Sequence, residues 1–468
     1  MFIFMKKKHS WIGIPIIFFV LIVIEFSFPY NAISKPSSGY RILITGFEPF
    51  GGFDSNPSEE LVHFINSKFS NNSPNNFTIK GVILPVTYFE SWKIFFRNIN
   101  SFNPDFVISL GYAPGSNKIR IESTAKNKDR GSKDNKGVSH YGPIIPNGAL
   151  TYNNALPIRN IQKALGENGI ESYISNDAGG YLCNHIFYNL MHHGGIGPKM
   201  KAGFIHIPSW SVERLWKAIE IAIKVLINSS IKVGIFEFEP VKNDVNHNLL
   251  RIDKIVSDTI GNNIGFYIFP EMALSGLIVN SPEELLIKNP EYKNGKVIDN
   301  LKAIAIKYSV YLSIGLPEIS EEGFFNSYQI FNPSGKLVLL YKKNHLYGAD
   351  FSWAKKGNFG YPILETDFGK IGVLICHDVT YKESFKDYIN HKINFLIIGT
   401  NWIGDRSIHY YLIRNDLNIR PIFISDRKGQ EENLVFHGNT SVIDKLGVCG
   451  ISRIVNKYNG IIYLHINE

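Results

Sequence analysis

The stretch Gly179-Gly180-Tyr181-Leu182-Cys183-Asn184-His185 constrains the fold of this chain more than any other. Paired glycines make a tight turn. Behind them Ile186, Phe187, Leu190 and Met191 fall on one face at helical spacing. Cys183 therefore sits at a helix N-terminus, where unpaired N–H groups and the macrodipole favour thiolate over thiol and predict a depressed cysteine pKa. A nucleophile needs a base. Residues 202–208 read as a short buried strand that ends in His206 and stops at Pro208, a position at which an α/β sheet presents catalytic side chains. Cys183 and His206 are thus a candidate pair for nucleophilic catalysis.

The surrounding segments repeat the strand–loop–helix pattern. A strand over 41–46 runs into Phe47-Glu48-Pro49-Phe50-Gly51-Gly52, and a helix begins near Asn56-Pro57-Ser58. The loop lacks the spacing of a phosphate cradle, and its two phenylalanines suit a flat apolar ring better. Further strands are predicted over 79–84, 106–110 and 202–206, with helices over 89–99, 158–166 and 212–227. This alternation predicts an α/β fold with a mainly parallel sheet.

At 468 residues the chain is too long for one ordinary core, and its 44% hydrophobic and 13% aromatic content predicts packed globular domains rather than disorder. The formal charge of +8 comes from 49 basic residues dispersed among 41 acidic ones, which argues against nucleic acid as a partner. Cys183, Cys376 and Cys449 lie far apart without metal-ligand spacing. Neither a disulfide framework nor a zinc site is expected, and no metal or organic cofactor is required.

Residues 1–34 read as a targeting segment. Lys6-Lys7-Lys8 precede an apolar run over 11–24, and Ala32 and Ser34 stand where a signal peptidase would cut. The stretch from Trp11 to Phe28, interrupted by one glutamate, is also nearly long enough for a tilted span, so an uncleaved anchor stays open. The expectation is a chain exported or anchored with its domains outside the cytoplasmic membrane, touching the membrane only through this segment. The alternative is a cytoplasmic chain. Residues 35–39 read as a linker.

Four ordered stretches then resemble pyroglutamyl-peptidase I. They are Thr45 through Gly52 with Asn56-Pro57, Glu122-Ser123-Thr124-Ala125-Lys126-Asn127, Asp177 through His185, and Phe204-Ile205-His206-Ile207-Pro208. The resemblance covers about residues 40–228. It implies a cysteine peptidase that removes N-terminal pyroglutamate, with Cys183 as nucleophile, His206 as base and Glu122 orienting the histidine. It also implies an apolar slot for the lactam ring from Phe47, Phe50 and Tyr181, with Asn56 near it. Bacterial members carry Gly-Gln-Ala-Gly-Gly where this chain has Gly111-Tyr112-Ala113-Pro114-Gly115, so Tyr112 takes a glutamine's place in substrate recognition.

A second set of elements begins at 231. A strand over 231–238 and an amphipathic helix over 249–260 precede a buried strand over 264–271 that ends in Glu271. Two hairpin strands joined by the turn Asn332-Pro333-Ser334-Gly335 lead to Tyr341-Lys342-Lys343. Another apolar strand, 371–375, runs into Cys376-His377-Asp378. Glu271, Lys343 and Cys376, each after an apolar strand, resemble the catalytic set of the nitrilase or carbon–nitrogen hydrolase superfamily over about 231–468. Such chemistry uses a carboxylate to take the thiol proton, an ammonium to stabilise the oxyanion and a thiolate to form the acyl-enzyme. The resemblance makes Asp350 the counterpart of the family's second glutamate, outside the catalytic set and with a shorter side chain that reaches less far, with Gly357 at the matching distance. It also places Arg414-Asn415-Asp416-Leu417-Asn418 where the family often has an acidic residue.

The expected architecture is therefore a three-layer α/β/α peptidase domain followed by a four-layer α-β-β-α nitrilase-like sandwich, joined by the short polar link Asn228-Ser229-Ser230. The expected function is a bifunctional cysteine hydrolase acting on pyroglutamyl peptides and on a small amide or nitrile, with assembly into a homo-oligomer left open. Two alternatives stand beside it. The second half resembles the nitrilase-like domain of apolipoprotein N-acyltransferase, though without that enzyme's several spans, and degenerate hydrolase domains would make a binding module.

Overall fold

The computed structural model describes residues 39–70, 77–195, 200–277, 281–292, 295–358, 360–403, 419, 421–444, 447–450, 454–455 and 458–466. The targeting segment, most of the linker and the stretch 414–418 lie outside the described residues. Among the described residues no helix is long and apolar enough to cross a membrane.

Strict alternation builds the first domain. In the strand Tyr40–Phe47, Ile42 and Ile44 face one core while Leu43 and Phe47 face another; in Phe106–Tyr112, Ile108 and Leu110 share the first and Val107 the second. Both faces must be covered, and helices cover both. Pro57–Lys68, Ile158–Glu167 and Val212–Asn228 pack on one side, and Tyr88–Phe102 and Leu182–Leu190 on the other. The sheet between them has the order Phe77–Leu84, Tyr40–Phe47, Phe106–Tyr112, Lys201–Ile207, Ile119–Glu122, Ser172–Ser175. All neighbours are parallel except Lys201–Ile207 against Ile119–Glu122. This is the expected three-layer α/β/α arrangement.

The second domain stacks two sheets. One runs Leu337–Lys342, Gly323–Phe331, Tyr311–Ser320, Phe266–Ile268, Ser230–Phe236, Tyr458–Ile466, Ile454–Val455. The other runs Ile363–Thr366, Gly369–Ile375, Phe395–Thr400, Ile422–Asp426, Ser441–Asp444, Gly447–Gly450. Val233, Ile235, Phe266 and Ile268 of the first pack with Ile371, Val373, Phe395 and Ile397 of the second. Helices Val245–Thr259 and Lys296–Tyr308 cover the outer face of one sheet, and Glu383–Asn390 that of the other. The result is the expected α-β-β-α sandwich. The strand expected over 264–271 is shorter, Phe266–Ile268, because Pro270 has no N–H for the ladder.

The link between the domains is no free tether. Asn228 ends a helix, Ser229 caps it by donating its backbone N–H to the Val225 carbonyl, and Ser230 opens the next strand. The Tyr40 hydroxyl donates to the Ser230 carbonyl at 2.9 Å, and Lys232 Nζ meets Asp105 Oδ1 at 2.7 Å. Leu464, on the last strand, joins the peptidase core. The cores were expected to lie close without merging; the pairing of Tyr458–Ile466 along the whole of Ser230–Phe236 carries Leu464 across the boundary. The described residues from 39 to 466 form one compact unit. Truncating Leu464 to Ala should therefore lower the unfolding midpoint of the peptidase half, at a cost of about 2–5 kcal/mol. Fluorescence-monitored denaturation with an unmoved peptidase transition would contradict this coupling.

Candidate active sites

The first site is assembled at the C-terminal ends of the central strands. Leu182–Leu190 begins one residue before Cys183, so the thiol occupies the first turn as the sequence predicts. Beneath it lies Gly111, where a Cβ would come within 2.7 Å of Cys183 Sγ. Gly111 is the sheet partner of His206, which brings the base beside the nucleophile. Next to His206, the antiparallel strand Ile119–Glu122 pairs Phe204 with Glu122 and His206 with Arg120. Residues two apart on a strand share a face, and here they share one function.

His206 Nδ1–H donates to Glu122 Oε1 at 2.7 Å, and both side chains are buried. The carboxylate thereby fixes the tautomer that leaves Nε2 to act as base. Arg120 Nε donates to the same Glu122 oxygen at 2.6 Å. Its Nη2, 3.2 Å from His206 Nδ1, faces another donor in this tautomer, so Arg120 acts chiefly by holding Glu122. Burial alone would raise the Glu122 pKa, but the His206 hydrogen bond and charge, with Arg120, hold it below its ordinary value. His206 is itself lowered, by burial first and Arg120 second, against the pull of Glu122.

Cys183 departs from the sequence expectation. Burial, followed by the Glu122 charge, pushes its pKa up to about 12, with Arg120 pulling the other way. A thiol set against the Gly111 backbone at the back of an apolar cleft has lost more solvation than a helix N-terminus returns. The resting pair is a neutral thiol and a neutral imidazole. His206 must therefore take the proton as the bond to substrate forms.

A cleft opens on Cys183, lined by Phe47, Phe50, Asn56, Val86, Tyr112, Tyr181 and Leu182. All five expected substrate-side residues are there. Phe50 meets Tyr112 and Tyr181 at ring separations of 6.4 and 6.3 Å, and Phe53 closes on Tyr112 at 5.6 Å. Asn56 contributes shape rather than free polar groups. It caps the helix Pro57–Lys68 by accepting from Ser58 N and Oγ, and it donates to the Glu48 carbonyl. Val86 and Leu182 were not anticipated, being ordinary apolar residues in sequence.

The second site lies at the end of the sandwich. Lys343 Nζ donates to Glu271 Oε1 and to Asp350 Oδ2, both at 2.7 Å, with all three groups buried. Asn326 Nδ2 bridges the same two carboxylates at 2.8 and 3.0 Å. Although shorter than a glutamate, Asp350 reaches the lysine because the turn Asp350–Trp353 sits close. At Gly357 a Cβ would fall 2.2 Å from the Lys342 carbonyl oxygen, so the chain passes there only as glycine. Burial alone would strip the ammonium, but the Glu271 charge first, and Asp350 with its hydrogen bond, hold Lys343 above its ordinary range. Burial raises Glu271, only partly offset by Lys343.

Cys376 follows the strand Gly369–Ile375 with φ +43, a left-handed conformation unusual for a non-glycine residue and common where a side chain must be presented at a sharp turn. Asp378 holds that turn. It accepts from Ile375 N at 3.0 Å, the Tyr341 hydroxyl at 2.8 Å and His345 N at 3.0 Å. Burial and the Glu271 charge raise the Cys376 thiol, while Lys343 and the Asn401 N–H oppose them. Cys183 and Cys376 are free thiols. Outside both sites Asp129, His140 and His185 form a group with metal-ligand chemistry, which cysteine spacing alone did not reveal.

Residues 40–227 match the family model described as pyroglutamyl peptidase. The chain belongs to that family. Residues 232–452 match the model for carbon-nitrogen hydrolase, so this enzyme carries two hydrolase domains in series. The pyrrolidone-carboxylate peptidase of Pyrococcus furiosus is 38% identical over 172 residues, 36% of this chain and 80% of the relative. That of Oceanobacillus iheyensis is 38% identical over 202 residues, 40% of this chain and 98% of the relative. The solved structure of pyrrolidone carboxyl peptidase from Thermococcus litoralis is 35% identical, covering 40% of this chain and 92% of that one, with a TM-score of 0.37.

Two expectations follow. Because His206 is lowered and Cys183 raised, protonating His206 removes the base, so kcat/KM of the first site should fall at acid pH with a midpoint below the ordinary histidine value of about 6.5 and stay level up to about pH 9. A bell with an alkaline fall near neutrality would contradict the neutral pair. Lys343→Met should destabilise the second domain by about 3–5 kcal/mol, since Glu271 and Asp350 would be left buried without their cation. A loss under about 1 kcal/mol in urea denaturation would show that the carboxylates find other partners.

Proposed function

We propose that the first domain removes N-terminal pyroglutamate from peptides. The observation that carries this reading is the apolar, aromatic-walled cleft that ends on Cys183, with the Glu122–His206 pair beside it. A lactam ring is flat, small and uncharged, and it suits walls of Phe47, Phe50, Tyr112 and Tyr181. The peptide beyond it extends into solvent. His206 Nε2 takes the Cys183 proton as Sγ attacks the pyroglutamyl carbonyl carbon. The unpaired N–H groups at the start of Leu182–Leu190 then face the developing oxyanion. His206 returns the proton to the leaving amine, and water, deprotonated by the same imidazole, cleaves the thioester. Similarity to pyrrolidone-carboxylate peptidases supports the reading.

The second domain, on this proposal, hydrolyses a carbon–nitrogen bond of an amide or nitrile. Glu271, raised by burial, accepts the Cys376 proton; Lys343 donates to the oxyanion; Cys376 carries the acyl group. Asp350 and Asn326 hold the lysine and the base in register. Export of the chain, proposed from Lys6-Lys7-Lys8 and the apolar run behind them, would place both reactions outside the cytoplasmic membrane. Recovery of full-length chain only in the soluble cytoplasmic fraction would refute that placement.

Cys183→Ala should lower release of a fluorescent amine from a pyroglutamyl amide by more than about a thousandfold, and His206→Ala by nearly as much, because members of a catalytic unit do not act additively. Unchanged hydrolysis in the Cys183 variant would refute the assignment. Tyr112→Gln should change KM more than kcat, as expected of a cleft-wall residue. Against a panel of small amides and nitriles, Lys343→Ala should reduce whichever activity is found by roughly a hundredfold to a thousandfold. Full activity in that variant would remove the second site from the mechanism.

A further inference from the structure

Beside the nucleophile helix lies a side-chain cluster that neither reaction uses. Asp129 opens the strand Asp129–Lys133 and is fully buried. His140 comes from the facing strand Ser139–Gly142, and His185 from Leu182–Leu190, two residues past Cys183. Both imidazoles bring Nδ1 to the same carboxylate oxygen, Asp129 Oδ2, His140 at 2.8 Å and His185 at 2.6 Å. The other oxygen, Oδ1, is buried and has no hydrogen-bond partner. A buried carboxylate oxygen normally takes a donor, and leaving one bare costs about 1–3 kcal/mol.

The donor set suggests what the arrangement is for. Two imidazole nitrogens and one carboxylate oxygen, each able to supply one atom within 4.8 Å of the others, are the ligands that zinc-class cations take in three-ligand sites with a fourth position for water. With bonds of about 2.0–2.1 Å in tetrahedral geometry, the donor atoms would stand roughly 3.3 Å apart. The contacts must therefore open by about 0.5 Å at His140 and about 0.7 Å at His185. His140 can provide its part, since about a third of its side chain is exposed. Neutral imidazoles would move their protons to Nε2 and keep their charge unchanged. Asp129 would supply the single negative charge, and Oδ1 would gain the cation or its water as a partner. Tyr88 forms an aromatic wall, its ring 5.8 Å from His140 and 5.2 Å from His185.

We propose that Asp129, His140 and His185 form a binding site for a divalent cation of the zinc class, which ties the hairpin of Asp129–Lys133 and Ser139–Gly142 to the nucleophile helix. None of the three touches the Glu122–His206 pair, so the cation is structural. It would brace the cleft from behind. Tyr88, packed on both imidazoles, also packs edge-on against Tyr181 at 5.9 Å, and the Tyr181 hydroxyl donates to the Lys133 carbonyl of the same hairpin.

The test uses the full-length chain with all three cysteines, Cys183, Cys376 and Cys449, alkylated by iodoacetamide, so that no thiol can serve as a ligand, after dialysis against a chelator. Titration with Zn²⁺ should show one saturable equivalent that raises the unfolding temperature. Titration with Co²⁺ should give the visible bands of a four-coordinate nitrogen–oxygen site. His140→Ala, which removes a partly exposed side chain, should abolish both effects, and Asp129→Asn should do the same. Absence of saturable binding would overturn the proposal, as would equal binding and equal thermal shift in His140→Ala; the cluster would then be a hydrogen-bonded clamp alone.

Discussion

A carboxylate taken out of water must be met by donors in its new place, and both active sites are built on that requirement. Glu122 is met by His206 and Arg120, and what it gives in return is a histidine with one tautomer and one orientation. Glu271 and Asp350 are met by one lysine and one asparagine amide, and what they give is an ammonium held in the interior. Two unrelated folds thus solve the same problem. Each withdraws an acid from solvent, pairs it with a single positive or proton-bearing partner, and sets that partner beside a sulfur.

The sulfur is prepared by different means. Cys183 is delivered by the first turn of a helix over Gly111, and the glycine is needed because any side chain would occupy the thiol's place. Cys376 is delivered by a turn whose φ is positive at the cysteine itself, and Asp378 fastens that turn through the Ile375 and His345 N–H groups and the Tyr341 hydroxyl. In both places burial raises the thiol, so each nucleophile waits protonated for its base. A protonated thiol is also less open to oxidation than a standing thiolate.

Much of this was legible in the sequence because the deciding residues stand at ends of regular elements. Cys183 follows paired glycines and precedes an apolar helical face; His206, Glu271 and Cys376 each close an apolar strand. What was not legible depends on pairing across distance. Arg120 carries no local signal except that it lies two residues before Glu122, and only the antiparallel register against Lys201–Ile207 makes that spacing matter. Asn326 and Asp378 are polar residues whose burial decides their roles, and burial is a property of the finished fold. The helix N-terminus gave the wrong direction for Cys183 because desolvation depends on what lies over the thiol. Leu464 shows the same at larger scale, since a strand from the end of the chain completes a core begun near residue 40.

The central claim is that each cysteine carries the acyl group of its own reaction. It is tested most directly by quenching full-length enzyme in acid during turnover of a pyroglutamyl amide and mapping its peptides by mass spectrometry. The account predicts a pyroglutamyl group in thioester linkage on the peptide containing Cys183 and an unmodified peptide containing Cys376. An acyl group on Cys376, or rapid turnover with none on Cys183 at any quench time, would contradict it.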